Sequence, residues 1–371
     1  MRILHIIDSL EMGGAENVLI GLAGGQRKEG HDVTVLQLRK ARNGTVSNKM
    51  IALDIKVAWL QERGCVYNPL LIFKISNWLK CYDIVHVHLF PALYWAAIAN
   101  GLSKSRTSLI YTEHSTDNRR RNNKILHLID GKVYQCSYKM IVACAERVLE
   151  KYRQAFPNVD HVSYVNNGID TQLFRDALPY TKQELLGINE SCFVVTMVAR
   201  FMSMKRQDTV VEAISLLPEE FHAVFVGGSE EDSGLARIKT LAESKGVLSR
   251  VHFLYSRKDV PRILKSSDVI VMASDYEGLS LSSIEGMAAG KPLVATNVDG
   301  LREVVDEAGL LFENRNSKQL ADTLLQLAED KLFYDNIAQR CVERAINYDV
   351  REMVQKYMKL YSEALMHREC L

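Results

Sequence analysis

The chain has 371 residues, with 46 Lys and Arg against 45 Asp and Glu, a net charge of +1. At roughly 150 residues per domain that length implies two domains, or three. An apolar share of 47% and a charged share of 25% exclude a disordered or collagen-like chain, and the balanced charge argues against a dedicated nucleic-acid binder.

In chain order, strands are predicted at 2–7, 32–38, 55–60, 83–87, 108–112, 139–143 and 161–165. Helix-length segments such as 15–29, 70–81, 91–102 and 145–155 separate them. Continuous Val/Ile/Leu runs that alternate with helices imply βαβ units and a buried parallel sheet. The pattern restarts near residue 190. Strands follow at 192–198, 222–227, 251–254, 268–272 and 292–296, and helices at 206–217, 233–245, 258–266, 282–289, 317–330 and 332–346. The fold class is therefore α/β, with two doubly wound domains in series. Asn166-Asn167-Gly168-Ile169-Asp170 is a turn-rich hinge candidate between them, and 351–367 has the apolar spacing of a long final helix.

The richest segment runs from Asp275 to Pro292. Gly278 opens a loop after the strand 268–272, and a helix starts near Ser280 to Ser282. Free N–H groups at a helix start attract anions, and ligands in open α/β sheets bind at the carboxyl ends of strands. Glu277 lies in the loop and Glu285 one or two turns into the helix. A carboxylate accepts two hydroxyl hydrogen bonds, which suits a sugar or a ribose. Two glutamates alone also fit a solvated acidic face. Gly278, the strand–loop–helix context and Gly290-Lys291-Pro292 favour a site.

Arg200 and Lys205 follow the strand 192–198, where two cations can neutralise a diphosphate; a solvated basic loop is the competing reading. Gly13-Gly14-Ala15-Glu16 follows the first strand and lets backbone approach a ligand. It is not G-x-G-x-x-G, and no acidic residue ends the second strand, so a nicotinamide cofactor is disfavoured. Thr112-Glu113-His114 lies at the ligand edge of the first sheet. His86 and His88 share a strand face, but no further ligands at metal-site spacing can be assembled around them, and they read as structural or pocket-lining. The absence of Asp-x-Asp argues against a metal-held diphosphate. Asn118 to Lys124, with Arg119, Arg120 and Arg121, is either a solvated loop or a basic patch for anionic lipid or a diphosphate-linked acceptor.

Taken together, these motifs resemble the retaining glycosyltransferases of family four, over essentially the whole chain and with no departure at a motif position. Asn167-Gly168-Ile169-Asp170 and Gly227-Gly228 add to the match. The resemblance implies a GT-B fold, with two Rossmann-like domains facing a central cleft. Residues 1–168, with a final helix at about 350–371 crossing back, would bind the acceptor, and 169–349 the nucleotide-sugar donor. It implies Glu285 on the ribose hydroxyls, Glu277 near the donor sugar and Arg200 and Lys205 on the diphosphate. The amides of Gly278, Leu279 and Ser280 would face diphosphate or sugar, Gly14 the diphosphate and His114 the sugar. The catalytic set is then Arg200, Lys205, Glu277 and His114, with no metal and no cofactor beyond the co-substrate.

The expected reaction is hexosyl or N-acetylhexosaminyl transfer with retention, by front-face attack or by double displacement. A UDP-sugar donor is favoured, with a glycan or lipid-linked oligosaccharide of a surface polysaccharide as acceptor. A sugar-nucleotide 2-epimerase or hydrolase, or a non-catalytic nucleotide-sugar-binding subunit, is the alternative. Seven scattered cysteines without a C-x-x-C pair fit free thiols in a reducing compartment. No apolar run reaches the roughly 18 residues of a span, and the N-terminus reads as a strand rather than a leader. The expected location is cytoplasmic, with peripheral contact at the inner membrane face and no nucleic-acid partner.

Overall fold

The computed structural model describes residues 1–11, 13–103, 107–114, 123–305 and 307–366. The chain divides into two compact units. Met1–Gly168 and the chain from Val350 onward make the first, and Ile169–Asp349 the second.

In the first unit the elements are β1 (Arg2–Ile7), α1 (Gly14–Lys28), β2 (Asp32–Gln37), α2 (Thr45–Ala52), β3 (Lys56–Trp59), α3 (Leu71–Leu79) and β4 (Ile84–His88). Then come α4 (Ala92–Ser103), β5 (Ser108–Glu113), α5 (Lys124–Ser137), β6 (Met140–Ala143), α6 (Glu146–Ala155) and β7 (Val162–Tyr164). The seven strands are parallel in the order β3-β2-β1-β4-β5-β6-β7. Strands β1, β4 and β5 are buried along nearly their whole length, as a sheet covered by helices on both faces requires.

The second unit holds α7 (Thr171–Arg175), α8 (Lys182–Leu186), β8 (Phe193–Val198), α9 (Gln207–Ser215), β9 (Phe221–Val226), α10 (Ser233–Ser244), β10 (Val251–Phe253) and α11 (Val260–Ser266). It continues with β11 (Val269–Met272), α12 (Leu281–Ala288), β12 (Leu293–Thr296), α13 (Asp299–Val305), β13 (Leu310–Phe312), α14 (Ser317–Glu329) and α15 (Lys331–Ile346). Its parallel sheet has the order β10-β9-β8-β11-β12-β13. The chain then enters α16 (Val350–Met366), which belongs to the first unit. Helix α16 buries Met353, Val354, Tyr357, Leu360, Tyr361 and Ala364, the stripe that its 3.6-residue period puts on one face.

Two doubly wound parallel sheets are thus present. The first-unit order reverses direction between β1 and β4, and the second-unit order between β8 and β11. Loops leaving adjacent strands on opposite sides of such a reversal diverge and open a crevice at the strands' carboxyl ends. Several elements were not legible as sequence patterns. Strand β13 has three residues, too few for a periodic signal. Helix α5 reverses the usual pattern: Asp130 and Tyr134 are buried, while Ile125, Leu128 and Ile129 are 71%, 62% and 42% exposed. The basic stretch Asn118 to Asn122, with Arg119, Arg120 and Arg121, lies outside the described residues; Asn123 caps α5 and Lys124 begins it. No helix among the described residues is long and apolar enough to cross a membrane.

Candidate active site

In the second unit the crevice lies between the loops that leave β8 and β11. The β8 loop carries Arg200 and Lys205. Phe201 anchors it, since the ring is buried and lies 6.0 Å from Phe225 and 6.1 Å from Phe253. Gly227, after β9, has φ +127°, and a Cβ there would stand 2.5 Å from the Ala199 carbonyl oxygen, so only glycine lets the two turns pass. The loop ends in a short 3-10 turn over Ser203–Lys205 and a left-handed Arg206. The Asp275 N–H then donates to the Met204 carbonyl at 2.8 Å, which ties the β8 loop to the β11 loop.

That tie brings Lys205 to Glu277. The ammonium pairs with Glu277 Oε1, and the Ser274 hydroxyl donates to the same oxygen at 2.7 Å. Both side chains are largely withdrawn from solvent, at 19% and 12% exposure, so solvent screens this pair less than a surface one. Asp275 is held apart by Arg315, at 3.0 Å, which with Asn314 keeps its carboxyl below the ordinary range despite opposing burial. Arg200 is exposed, and its guanidinium has no protein partner among the described residues; its carbonyl accepts from Gln207 Nε2 at 3.0 Å. The two cations thus differ: Lys205 is paired with Glu277, whereas Arg200 has no anionic partner among the described residues.

Beyond Glu277 the chain turns through Gly278 and Leu279 to Ser280, whose hydroxyl caps α12 by accepting from the Ser283 N–H at 3.3 Å. No protein acceptor among the described residues takes the amides of Gly278, Leu279 or Ser280. Gly300, in the first turn of α13, closes this loop from behind. A Cβ at Gly300 would fall 2.3 Å from both the Glu277 and the Gly278 carbonyl oxygens. Glu285 is half-buried on α12, and no hydrogen bond reaches its carboxyl group among the described residues. Burial therefore pushes its pKa up to about 7. A group with two hydroxyl donors would favour the charged form and relieve that cost.

In the first unit, α1 begins at Gly14, which is exposed, and a Cβ there would meet nothing within 4 Å. The fold itself does not require glycine at this position. His114 directly follows β5. Sequence spacing offers no third ligand to His86 and His88, but the fold brings one: His5, on β1, joins them, with one nitrogen of each within 4.8 Å of the others. Those nitrogens are engaged in hydrogen bonds with one another and with Gln26, Tyr361, Thr112 and His114. The partner missing from the sequence pattern came from β1, 83 residues before His88, adjacent only after the sheet forms.

Residues 12–173 match the family description Glycosyltransferase Family 4, and residues 181–348 match Glycosyl transferases group 1. The chain is a family four glycosyltransferase. Among relatives, it is 30% identical over 174 residues to the N,N'-diacetylbacillosaminyl-diphospho-undecaprenol alpha-1,3-N-acetylgalactosaminyltransferase of Campylobacter jejuni, a match covering 46% of this chain and 45% of that one. It is 25% identical over 302 residues to the UDP-Gal:alpha-D-GlcNAc-diphosphoundecaprenol alpha-1,3-galactosyltransferase of Escherichia coli, covering 77% of each. Anabaena HepE, solved with UDP and with UDP-glucose, superposes with TM-scores of 0.85 and 0.83 at 24% identity, covering 98% of this chain and 100% of that one in both. The fold is GT-B.

Within this glycosyltransferase the second-unit constellation assembles Lys205, Glu277, Gly278, Leu279, Ser280 and Glu285 on two tied loops and one helix, with Arg200 on the first of those loops. Ser274, Gly300 and the Asp275–Arg315 clamp were missed by sequence reasoning. The Asp299-Gly300 pair at the start of a helix was a usable signal for Gly300; nothing in the sequence marks Ser274, whose partner is defined only by the loop's turn.

Proposed function

We propose that this chain transfers a sugar from a UDP-sugar to a glycan carried on a lipid diphosphate, with retention of configuration and without a metal ion. The observation that carries the reading is the pairing of an amide row at Gly278 to Ser280, without an acceptor among the described residues, with Arg200, Lys205 and Glu285 on the loops and helix that border the second-unit crevice. The relatives from Campylobacter jejuni and Escherichia coli are named for transfer to undecaprenol-linked diphosphates, and HepE was solved with UDP-glucose. These names support the donor and acceptor classes.

The charges suit that reaction. Breaking the anomeric C–O bond builds negative charge on the leaving diphosphate. Arg200, Lys205 and the amide row then gain more in the transition state than in the ground state. Glu277 is bound to Lys205 and Ser274, which lowers its nucleophilicity and suits it better to orienting the ammonium and the donor sugar than to forming a covalent intermediate. Glu285 takes the ribose hydroxyls. The acceptor proton passes to a phosphate oxygen of the leaving group, so front-face attack needs no protein base. Gly14 and His114 supply first-unit contacts to diphosphate and sugar, and the first unit binds the acceptor.

The reading extends to a cytoplasmic membrane face. Ile125, Leu128 and Ile129 form an exposed apolar stripe on α5, flanked by exposed Lys124 and Lys132 and preceded by Arg119, Arg120 and Arg121. Apolar side chains beside cations suit an anionic lipid surface. The deciding experiment incubates the protein with UDP-sugars in EDTA, with and without polyprenyl-diphosphate-linked saccharides. An elongated lipid product with the α-configuration of the donor is expected. Isomerised or hydrolysed donor as the only product would select the epimerase or hydrolase instead, and no turnover of any donor would leave a binding subunit.

A further inference from the structure

Three histidines, His5, His88 and His114, form one hydrogen-bonded line in the first unit, and His86 joins it through Tyr361 and Gln26. His5 lies on β1, His86 and His88 on β4, and His114 just past β5. The parallel register sets His5 beside His86 and His88 beside Thr112. His88, two residues beyond His86, keeps to the same sheet face. Nδ1 of His5 is 3.1 Å from Nε2 of His88, and Nδ1 of His88 is 3.2 Å from Nε2 of His114. At the inner end, Nε2 of His5 is 2.8 Å from Oε1 of Gln26 on α1. Gln26 Nε2 reaches the Tyr361 hydroxyl of α16 at 3.3 Å, and that hydroxyl is 2.6 Å from Nδ1 of His86. The other nitrogen of His86 is 2.6 Å from Thr112 Oγ1, which is 2.9 Å from the Tyr357 hydroxyl.

The protons in this network follow from its chemistry. Of the two hydroxyls at His86, the phenol is the stronger acid, so Tyr361 donates to Nδ1 and Nε2–H donates to Thr112. With its proton spent, the Tyr361 oxygen can only accept, so Gln26 turns its NH2 to Tyr361 and its carbonyl oxygen to His5. A carbonyl oxygen only accepts, so His5 carries its proton on Nε2. A neutral imidazole has one N–H, which leaves His5 Nδ1 as an acceptor and makes His88 Nε2 the donor. The same step repeats: His88 Nδ1 accepts, and His114 Nε2 donates. His114 Nδ1 is then a bare lone pair, and it is buried without a hydrogen-bond partner among the described residues. The rings are neutral at ordinary pH, because burial lowers His5 and His114 to about 4 and His86 and His88 well below their usual range. The groups that hydrogen-bond to the line, Gln26, Thr112 and Tyr361, are uncharged.

We propose that His5 and His88 are positioning residues. Their line from Gln26 holds His114 as the tautomer protonated on Nε2, so that its Nδ1 accepts a hydrogen bond from a hydroxyl of the sugar substrate at the carboxyl edge of β5. The hydroxyl's identity rests on the transferase reading above; the tautomer does not.

The test uses the full chain labelled with nitrogen-15 histidine. Two-bond nitrogen–proton spectra report each ring's tautomer. His114 of the parent is expected to be protonated on Nε2 alone. His88→Phe keeps the ring and removes the acceptor, so His114 should become a mixture of tautomers, with turnover of the sugar donor down about tenfold, the value of one hydrogen bond. His88→Asn places an amide oxygen near the lost Nδ1 and should restore both the single tautomer and most of the turnover. If His88→Phe does not fold, Gln26→Leu cuts the line at its far end and is read in the same way. A parent His114 protonated on Nδ1, or a tautomer unmoved by either variant, overturns the positioning role. The correct tautomer in a parent that transfers no sugar overturns the transferase reading and the sugar contact with it.

Discussion

Glu285→Gln offers the sharpest measurement, because its effect on binding and on stability can be worked out with opposite signs. Burial raises the Glu285 carboxyl to about 7. The folded state therefore holds an extra proton between the ordinary carboxyl pKa and about 7. Stability is fully present at acid pH and declines as pH rises through that window. The rise from 4.5 to about 7 corresponds to an upper bound of about 3 kcal/mol. Glu285→Gln removes the buried charge, so the empty variant should melt higher than the parent at about pH 8 and alike at about pH 4. Donor binding should move the other way. If the ribose hydroxyls meet the carboxylate, only the ionised form binds well. Roughly one molecule in eleven is ionised at about pH 6 and nine in ten at about pH 8, so affinity should tighten about tenfold. UDP-glucose is the right ligand, since its diphosphate carries no phosphate that titrates in this range. Calorimetry in buffers of different ionisation enthalpy should show proton release on binding in the parent at about pH 6 and none in the variant. The variant should bind about tenfold more weakly than the parent at about pH 8, with no pH slope, as a neutral acceptor replaces a charged one. A flat affinity profile in the parent, with no proton release, would refute the ribose role of Glu285.

The remaining predictions concern the loops and the surface. Lys205→Ala should lower kcat by about 10² to 10³ with a smaller change in donor affinity, and adding Glu277→Gln should recover part of the loss by removing the orphaned charge; kcat within about threefold of the parent would exclude Lys205 from catalysis. Gly300→Ala should displace the Glu277–Gly278 turn and raise KM for the donor, because a Cβ 2.3 Å from two carbonyl oxygens cannot be accommodated without a shift; unchanged donor kinetics would show that the turn has no binding role. Binding to anionic vesicles should fall with added salt, with Arg119, Arg120 and Arg121 changed to Ser, and with Leu128→Gln on the apolar stripe, and sedimentation of each variant with vesicles reads this directly.

The alternation of apolar runs with helices determined that there are two parallel-sheet halves, since a strand buried on both faces must be apolar throughout. Gly278 with Ser280 to Ser283 announced a loop and a helix start, because capping chemistry is local. Arg200, Lys205 and Glu277 were visible for the same reason: each stands in a loop that follows a strand end the pattern already located. What the sequence did not contain was who meets whom. Lys205 finds Glu277 across 72 residues only because β8 and β11 become neighbours at the reversal in sheet order. His5 joins His86 and His88 only because β1 and β4 pair in register. Glu285 looks like any helix glutamate in the chain, and its shift to about 7 comes from the packing around it. Local propensity and periodicity act over a few residues and are written in order along the chain. Partnership, burial and charge state depend on which distant strands are adjacent, and that is decided only when the sheet forms.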